Sequence, residues 1–126
     1  AGSGNDGDAD GVGDAAQFCY PIGISISPDG GAMFVADYDN DKIRRVEVAT
    51  DAVTTLAGSG EEGDADGVGN AAQFYSPTGI AISPDGGALF VADFGNDKIR
   101  RVELATGEVT TVAGSGTRGS ADGVGD

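Results

Sequence analysis

Short apolar segments separated by glycine, proline and aspartate recur along the whole chain. Residues 23–27 (GISIS) alternate apolar with small side chains, whereas residues 32–37 (AMFVAD) are apolar at consecutive positions. Alternation is typical of a strand with one covered face, and a short continuous apolar run indicates a strand covered on both faces. The Pro-Asp-Gly-Gly segment between them, residues 28–31, predicts a hairpin, because proline sets the turn and glycine accepts a positive φ.

Two further strands are predicted after this hairpin. Residues 42–48 (KIRRVEV) follow a turn rich in Asn and Asp, and residues 53–57 (VTTLA) follow a short Thr-Asp connection. Apolar residues at the 3.6-residue helical period do not persist beyond one turn, and glycine interrupts every segment, so no helix is predicted. The pattern therefore predicts a four-stranded antiparallel meander.

The whole pattern repeats with a period of 56 residues. The tetrapeptide Ala-Gly-Ser-Gly begins at Ala1, Ala57 and Ala113, and residues 1–56 and 57–112 are identical at 42 of 56 positions. A sheet that is apolar on both faces buries both of them when it packs between two copies of itself, as the blades of a propeller do. We predict an all-β fold of two four-stranded antiparallel propeller blades that assemble into a closed β-propeller. The predicted boundaries are a Gly/Asp-rich linker at 1–20, blade one at 21–58, an inter-blade linker at 59–76, blade two at 77–114 and a partial third linker at 115–126.

Two sequence motifs carry a family resemblance. The segments F-x-x-P-x-G-I-x-I-S-P-D-G-G-A-x-F-V-A-D-x-x-N-D-K-I-R-R-V and V-T-T-x-A-G-S-G occur in both repeats. They resemble the blade consensus of the NHL-repeat β-propellers, in a variety with a long linker. The resemblance implies a propeller that is most often six-bladed, so three two-blade chains would complete a ring, and four chains would complete an eight-bladed one. Some relatives of this kind are lyases or lactonase-like hydrolases that rely on a metal in the central channel.

Composition narrows the range of functions. The chain has 21 acidic and 7 basic residues and a formal charge of −14, and a field of this sign repels nucleic acid and anionic lipid. No apolar stretch approaches the roughly 18 residues of a membrane span, and the Gly/Asp-rich start lacks the features of a signal peptide. We therefore expect a soluble chain without nucleic-acid or membrane partners. The chain contains no histidine, the commonest general base, and a single cysteine, Cys19. No catalytic constellation emerges, and we predict that the chain is not an enzyme.

The turn between the second and third strands of each repeat carries an Asp-x-x-Asn-x-x-x-Arg pattern. A carboxylate and a guanidinium brought together by this turn could grip a ligand. Asp and Asn side chains also satisfy local backbone groups, however, and Arg pairs with the carboxylate. We therefore predict a structural turn network. Its members are Asp37, Asn40, Arg44, Asp93, Asn96 and Arg100.

The linker residues 6–17 have the spacing of a calcium-binding loop. Carboxylates fall at positions 1, 3, 5 and 9 of this loop and glycine at position 6, the arrangement that gathers oxygen ligands around Ca²⁺. Gln17 stands where the bidentate glutamate belongs, no helix flanks the loop, and the pattern weakens in the later copies. The favoured interpretation is therefore a series of Gly/Asp turns with no cofactor, and calcium is the alternative. The candidate calcium ligands are Asp6, Asp8, Asp10, Asp14, Glu62, Asp64, Asp66 and Asn70.

Two function hypotheses follow from these patterns. In the first, the chain is a non-enzymatic scaffold that associates head to tail with itself, as a homotrimer or next as a homotetramer, because two blades leave apolar faces bare. The residues expected on these bare faces include Ile24, Phe34, Ile80 and Phe90. In the second, the chain is part of a larger NHL propeller whose surface or channel binds a protein, a small ligand or calcium. Residues 1–14 and 113–126 are equivalent copies of one linker, so we expect them to compete for one position at a head-to-tail junction.

Overall fold

The computed structural model describes residues 1–125, and Asp126 lies outside the described residues. Blade one contains β1 (Gly11–Val12), β2 (Pro21–Ile26), β3 (Ala32–Asp37), β4 (Lys42–Glu47) and β5 (Ala52–Ala57). Blade two contains β6 (Gly67–Val68), β7 (Pro77–Ile82), β8 (Ala88–Asp93), β9 (Lys98–Glu103) and β10 (Glu108–Ala113). Single 3-10 turns lie at Gly13–Ala15, Tyr38–Asn40, Gly69–Ala71 and Phe94–Asn96. Within the described part of the chain, no helix has the length and hydropathy that a membrane crossing requires.

Each blade is one antiparallel sheet, in the order β1-β5-β4-β3-β2 for blade one and β6-β10-β9-β8-β7 for blade two. The all-β fold is confirmed, and the four strands expected in each repeat are present. A fifth strand was not expected: β1 and β6 come from the linkers and extend the outer edge of each sheet, with Gly11 opposite Val53 and Gly67 opposite Val109. A strand of two residues is too short to produce an alternating pattern, so these residues were predicted as linker.

Each linker folds back on itself. In all three copies the amide of the first linker glycine donates a hydrogen bond to the carbonyl of a later glycine. The pairs are Gly2 with Gly13 at 2.9 Å, Gly58 with Gly69 at 3.1 Å and Gly114 with Gly125 at 3.1 Å. The linker is therefore a recurring structural unit, although its sequence resembles a flexible loop.

The two faces of a blade are distinguished by the direction in which they point. We call the face that points along the chain toward the next blade the forward face, and the opposite one the backward face. The forward face consists of Ala32, Phe34, Ala36, Ile43 and Ala57 in blade one, and of Ala88, Phe90, Ala92, Ile99 and Ala113 in blade two. The backward face consists of Ile24, Ile26, Met33, Val35, Val46 and Val53 in blade one, and of Ile80, Ile82, Leu89, Val91, Val102 and Val109 in blade two. The forward face of blade one packs on the backward face of blade two.

Candidate functional site

The interface between the blades is the larger of the two buried apolar clusters. Phe34 and Ile43 of blade one, 1% and 0% exposed, lie in one cluster with Leu89, Val91 and Val102 of blade two, each fully buried. A buried side chain of this size stabilises the fold by about 1.5–3 kcal/mol. Apolar burial is therefore what holds one blade against the next.

Two polar and steric features fix the alignment of the blades. A Cβ on Gly23 of β2 would collide with the carbonyl oxygen of Thr78 in β7, so glycine permits the close approach of these edge strands. Nearby, Asp41 Oδ1 accepts a hydrogen bond from the Ser76 backbone amide at 2.7 Å. Asp41 and Ser76 both have left-handed backbone conformations, with φ of +54° and +53°. The junction thus combines an apolar layer, a close strand contact and a polar clasp.

Burial at this junction raises the pKa of the Asp41 carboxyl above its ordinary value of 3.8. The hydrogen bond from Ser76 acts in the opposite direction, and the nearby carboxylates of Glu62, Asp93 and Asp39 raise the pKa further. A carboxyl whose pKa is raised by folding holds its proton more tightly in the folded state. Its contribution to stability is therefore present below the unfolded pKa and is lost as the pH rises through the folded pKa.

The outward faces of the pair carry nearly the same apolar residues as the buried interface, but they are covered only in part. On the backward face of blade one, Val35, Val46 and Val53 are buried with Ala16, and the exposed part lies along β2. Ile99 is 42% exposed, whereas its equivalent Ile43 is 0% exposed. Ile24 is 60% exposed, whereas its equivalent Ile80 packs against the interface cluster. An open depression of about 400 Å³, lined in part by Thr78, Ala92 and Ile99, marks the forward face of blade two. Within the described chain, these two outward faces are the exposed counterparts of the buried interface.

Two of the four residues expected on bare faces are covered instead. Phe34 is 1% exposed and Ile80 packs against the interface cluster, so those two predictions are wrong. Ile24 and Phe90 are exposed as expected, by 60% and 37%. The alternation along a strand shows that neighbouring residues lie on opposite faces. It does not show which of the two faces meets the other blade.

Each blade also buries one arginine–carboxylate pair. Arg44 and Asp37 are both 0% exposed, and Arg44 Nη1 donates to Asp37 Oδ2 at 2.8 Å. Asp37 also accepts from the Asn40 side-chain amide at 2.7 Å and from the Cys19 backbone amide at 2.8 Å. The guanidinium lies over the ring of Phe18, 5.0 Å from its centroid. These hydrogen bonds offset part of the hydration that the buried ion pair loses. The Nε of Arg44 is also buried and has no hydrogen-bond partner within the described chain.

The same arginine holds the linker against the sheet. Arg44 Nη2 donates to Asp10 Oδ1 at 2.8 Å, and the Thr55 hydroxyl donates to the same carboxylate at 3.0 Å. Lys42 Nζ donates to Asp8 Oδ2 at 2.8 Å, and this contact lowers the pKa of the Asp8 carboxyl. The linker is therefore tied to β4 by two cations and to β5 by the Thr55 hydroxyl, immediately before it forms β1.

Blade two repeats this network almost atom for atom. The contacts are Arg100 with Asp93 at 2.8 Å, Arg100 with Asp66 at 2.9 Å, Lys98 with Asp64 at 2.8 Å and Asn96 with Asp93 at 2.7 Å. The structure thus brings together the Asp, Asn and Arg side chains of the predicted turn network. The additional linker carboxylates were missed, although a signal was available: Asp10 and Arg44 are 34 residues apart, and the same spacing separates Asp66 and Arg100.

The candidate calcium ligands do not converge in this structure. Asp8, Asp10, Asp64 and Asp66 contact lysine and arginine side chains of their own blade. The remaining candidates, Asp6, Asp14, Glu62 and Asn70, are exposed. Across residues 1–125, no group of three or more His, Cys, Asp or Glu side chains is arranged to hold a metal ion. The Gly/Asp spacing produces turns that direct carboxylates toward protein cations, instead of toward a common centre.

Comparison with known proteins agrees with this geometry. The family model described as "Lactonase, 7-bladed beta-propeller" matches residues 9–125. Protein SUPPRESSOR OF QUENCHING 1, chloroplastic, from Arabidopsis thaliana is 41% identical over 102 residues, which cover 81% of this chain and 10% of that protein. NHL repeat-containing protein 2 from Homo sapiens is 35% identical over 107 residues, which cover 84% of this chain and 15% of that protein. An auxiliary nutrient binding protein from Bacteroides ovatus superposes with a TM-score of 0.64 at 20% identity, covering 81% of this chain and 26% of that one.

Two antiparallel sheets that are stacked face to face and related by a sequence repeat define blades of a β-propeller. The chain belongs to the β-propeller family described as "Lactonase, 7-bladed beta-propeller", and its similarity to NHL repeat-containing protein 2 confirms the NHL-type resemblance. The likeness to the Bacteroides structure supports the fold alone. The chain spans 10% and 15% of the lengths of the two curated relatives described above.

Proposed function

We propose that this chain is a non-enzymatic scaffold unit that associates head to tail with copies of itself to close a β-propeller. The forward face of blade two would bind the backward face of blade one in the next copy, where the β2 side chains are exposed and Val35, Val46 and Val53 are already buried. This contact would repeat the interface that already joins the two blades within one chain. The observation that carries the proposal is the near-identity of the outward faces with the faces that are buried against each other.

The forward faces of the two blades have identical side chains at the five apolar positions named above, and differ where Ser25 of β2 is replaced by Ala81 of β7. The pairs are Ala32 and Ala88, Phe34 and Phe90, Ala36 and Ala92, Ile43 and Ile99, and Ala57 and Ala113. The backward faces differ at one position of six, where blade one has Met33 and blade two has Leu89. Leucine and methionine exchange with little cost in a core, because their volumes are similar. A second copy would therefore meet nearly the same surface that blade two already meets.

Association of this kind is heterologous, so it ends only when the ring closes. We propose a ring of three copies, which contains six blades, and four copies with eight blades is the next arrangement. The absence of histidine from the chain and the engagement of its buried carboxylates in ion pairs support a role without catalysis. If the chain instead belongs to a longer propeller, the same faces would be covered by neighbouring blades of that chain. The chain spans only a small share of the lengths of its curated relatives, and this observation supports the second function, in which the completed propeller presents a binding surface.

Mass measurement in solution, by native mass spectrometry and light scattering over a range of concentrations, tests the proposal. We expect one discrete oligomer for the wild type. The informative variant is Gly79→Ala: its Cβ would have Ala92 Cβ as its neighbour within the chain, at an ordinary 3.6 Å. At a head-to-tail junction the same Cβ would meet the Ile22 carbonyl of the next copy, just as a Cβ on Gly23 meets Thr78.

Gly79→Ala should therefore yield a folded monomer. The matched control is Gly23→Ala, which places the same methyl group in the junction within the chain and should lower the melting temperature of the monomer itself. A wild type that remains monomeric at high concentration would refute self-association. A Gly79→Ala protein that still forms the wild-type oligomer would show that copies associate by a different surface.

A further inference from the structure

We infer that residues 113–125 of one copy bind the outer edge of the first blade of the next copy, in place of that copy's own residues 1–13. This inference rests on the proposed head-to-tail association and identifies the segment that each copy donates to its neighbour. The receiving site is the outer edge of β5 together with the arginine cage around Arg44. The partner is therefore a second copy of this chain, and it completes the site with its own carboxylate.

The junction between the two blades of one chain shows which segment forms the outermost strand of a blade. From β5 the chain runs directly into the linker, which crosses to blade two and forms β6 on the outer edge of its sheet. At a junction between copies, the preceding blade is blade two of the other copy, and the linker that leaves it begins at Ala113. Residues 113–116 of that copy and residues 1–4 of the next are equivalent, so they would occupy the same space.

The path of residues 113–116 is set by the long strand that they follow, whereas residues 1–4 follow no strand of their own chain. A Cβ on Gly114 would lie 2.5 Å from the carbonyl oxygen of Asp97, and a Cβ on Gly58 would lie 2.6 Å from that of Asp41. The path that leaves blade two therefore already matches the path that leaves blade one. This path continues β10, which is paired along its length with β9.

Residues 1–4 are held instead by hydrogen bonds within the linker, from Gly2 to the Gly13 carbonyl and from Ser3 to the Ala16 carbonyl, both at 2.9 Å. These bonds can break without disturbing the four long strands of the sheet. We therefore infer that residues 1–4 yield at the junction, and that the rest of their segment leaves with them.

The donated segment carries the groups that the receiving site binds. Residues 121–125 (ADGVG) are identical to residues 9–13. In the latter, the Ala9 carbonyl and the Asp10 carboxylate accept hydrogen bonds from Arg44, at 3.0 Å and 2.8 Å. The equivalents in the donated segment are Ala121 and Asp122. That segment is also closed by the Gly114–Gly125 hydrogen bond, so it already has the form of an inter-blade linker.

One contact is lost in the exchange. Ser120 stands where the N-terminal segment has Asp8, so Lys42 loses its carboxylate partner. The Asp8 side chain is 61% exposed, and an ion pair this accessible to water contributes little to stability. The exchange therefore removes one weak ion pair and brings in a segment that is continuous with the neighbouring sheet.

Hydrogen exchange measured by mass spectrometry on the full chain tests the inference directly. In the Gly79→Ala monomer, peptides from residues 1–12 should be protected and peptides from 114–125 should exchange freely. In the assembled wild type the order should reverse, with protection of 114–125 rising roughly tenfold or more. Protection of 1–12 in the oligomer, with 114–125 still exchanging freely, would overturn the exchange and leave head-to-tail association intact.

Three matched alanine variants give an independent readout. Asp66→Ala removes the contact between Arg100 and the linker that joins the two blades of one chain. It should lower the melting temperature of monomer and oligomer alike, and it gives the size of this contact for comparison with the other two variants. Asp122→Ala should raise the dissociation constant of the oligomer roughly tenfold, whereas Asp10→Ala, which removes a contact that only the dissociated chain makes, should lower it. An unchanged dissociation constant for both variants would show that each copy keeps its own N-terminal segment in place. A monomeric wild type would refute the association and the exchange together.

Discussion

Phe34 and Phe90 occupy equivalent positions in two nearly identical repeats, but the neighbouring blade covers Phe34 alone. Phe34 is 1% exposed and Phe90 is 37% exposed. Truncation of each to alanine therefore removes the same atoms from the same local backbone, and the environments differ mainly in the presence of a second blade. The difference between the two free energies of unfolding measures what that blade contributes at this position.

The magnitudes follow from burial. Phe34→Ala in the closed interface loses the transfer free energy of the ring and leaves a cavity, which together cost about 3–5 kcal/mol. Phe90→Ala removes a ring that is buried over about two thirds of its surface, and the notch it leaves is open to water. Two thirds of the roughly 1.5–3 kcal/mol for a fully buried side chain is about 1–2 kcal/mol. The expected difference between the variants is therefore about 1–4 kcal/mol.

Urea unfolding followed by circular dichroism measures both costs. The variants are best compared in the Gly79→Ala background, in which association is blocked and the forward face of blade two remains free. Equal costs for Phe34→Ala and Phe90→Ala in that monomeric background would refute the face assignment. In the wild-type background at high concentration, the cost of Phe90→Ala should rise toward that of Phe34→Ala, because the next copy then covers Phe90.

Two further predictions concern charge and metal. Asp41→Asn keeps the acceptor for the Ser76 amide but removes a charge whose burial disfavours folding, so it should stabilise the chain at pH 7 by less than about 1 kcal/mol, a gain that solvent screening limits. Urea unfolding at several pH values should show this gain vanish as the pH falls through the raised pKa of Asp41, whereas Asp97→Asn, at a matched left-handed but exposed position, should show no such gain. Addition of Ca²⁺ to chelator-stripped protein should produce neither heat by calorimetry nor a shift in melting temperature, because Asp8 and Asp10 are paired with protein cations. A saturable response would restore the calcium-loop hypothesis.

The strands and the repeat could be predicted because each depends on a local pattern. Alternation and apolar runs placed the four long strands of each blade, and the recurring Ala-Gly-Ser-Gly placed the linkers. The direction in which the blades stack could not be predicted from the same pattern, since Phe34 and Phe90 lie in the same apolar pattern and their neighbours differ only by Met33 against Leu89. That distinction arises from which repeat precedes the other in the chain and is therefore a property of the tertiary packing.

Two differences between the repeats are coupled in the structure, and this coupling could not be recognised from the sequence. Tyr75 replaces Cys19 and Gly95 replaces Asp39, and the structure shows that these two changes belong together. A Cβ on Gly95 would lie 2.5 Å from Cγ of Tyr75, so the larger aromatic requires glycine opposite it. In blade one the smaller Cys19 leaves room for Asp39, whose carboxylate accepts from the thiol at 3.7 Å. Burial and neighbouring carboxylates raise the pKa of that thiol.

The number of blades in the assembled ring is constrained by parity. A ring made solely of two-blade chains contains an even number of blades, whereas the matching family is described as seven-bladed. One seventh of a turn lies between one sixth and one eighth, so an interface shaped for seven blades would have to open slightly to close at six or tighten slightly to close at eight. The forward face presents three alanines beside Phe34 and Ile43, and such small side chains permit a modest rotation of one sheet on another. A trimer alone would indicate that the interface prefers the wider rotation between blades, and coexisting trimer and tetramer would indicate a preferred rotation between the two.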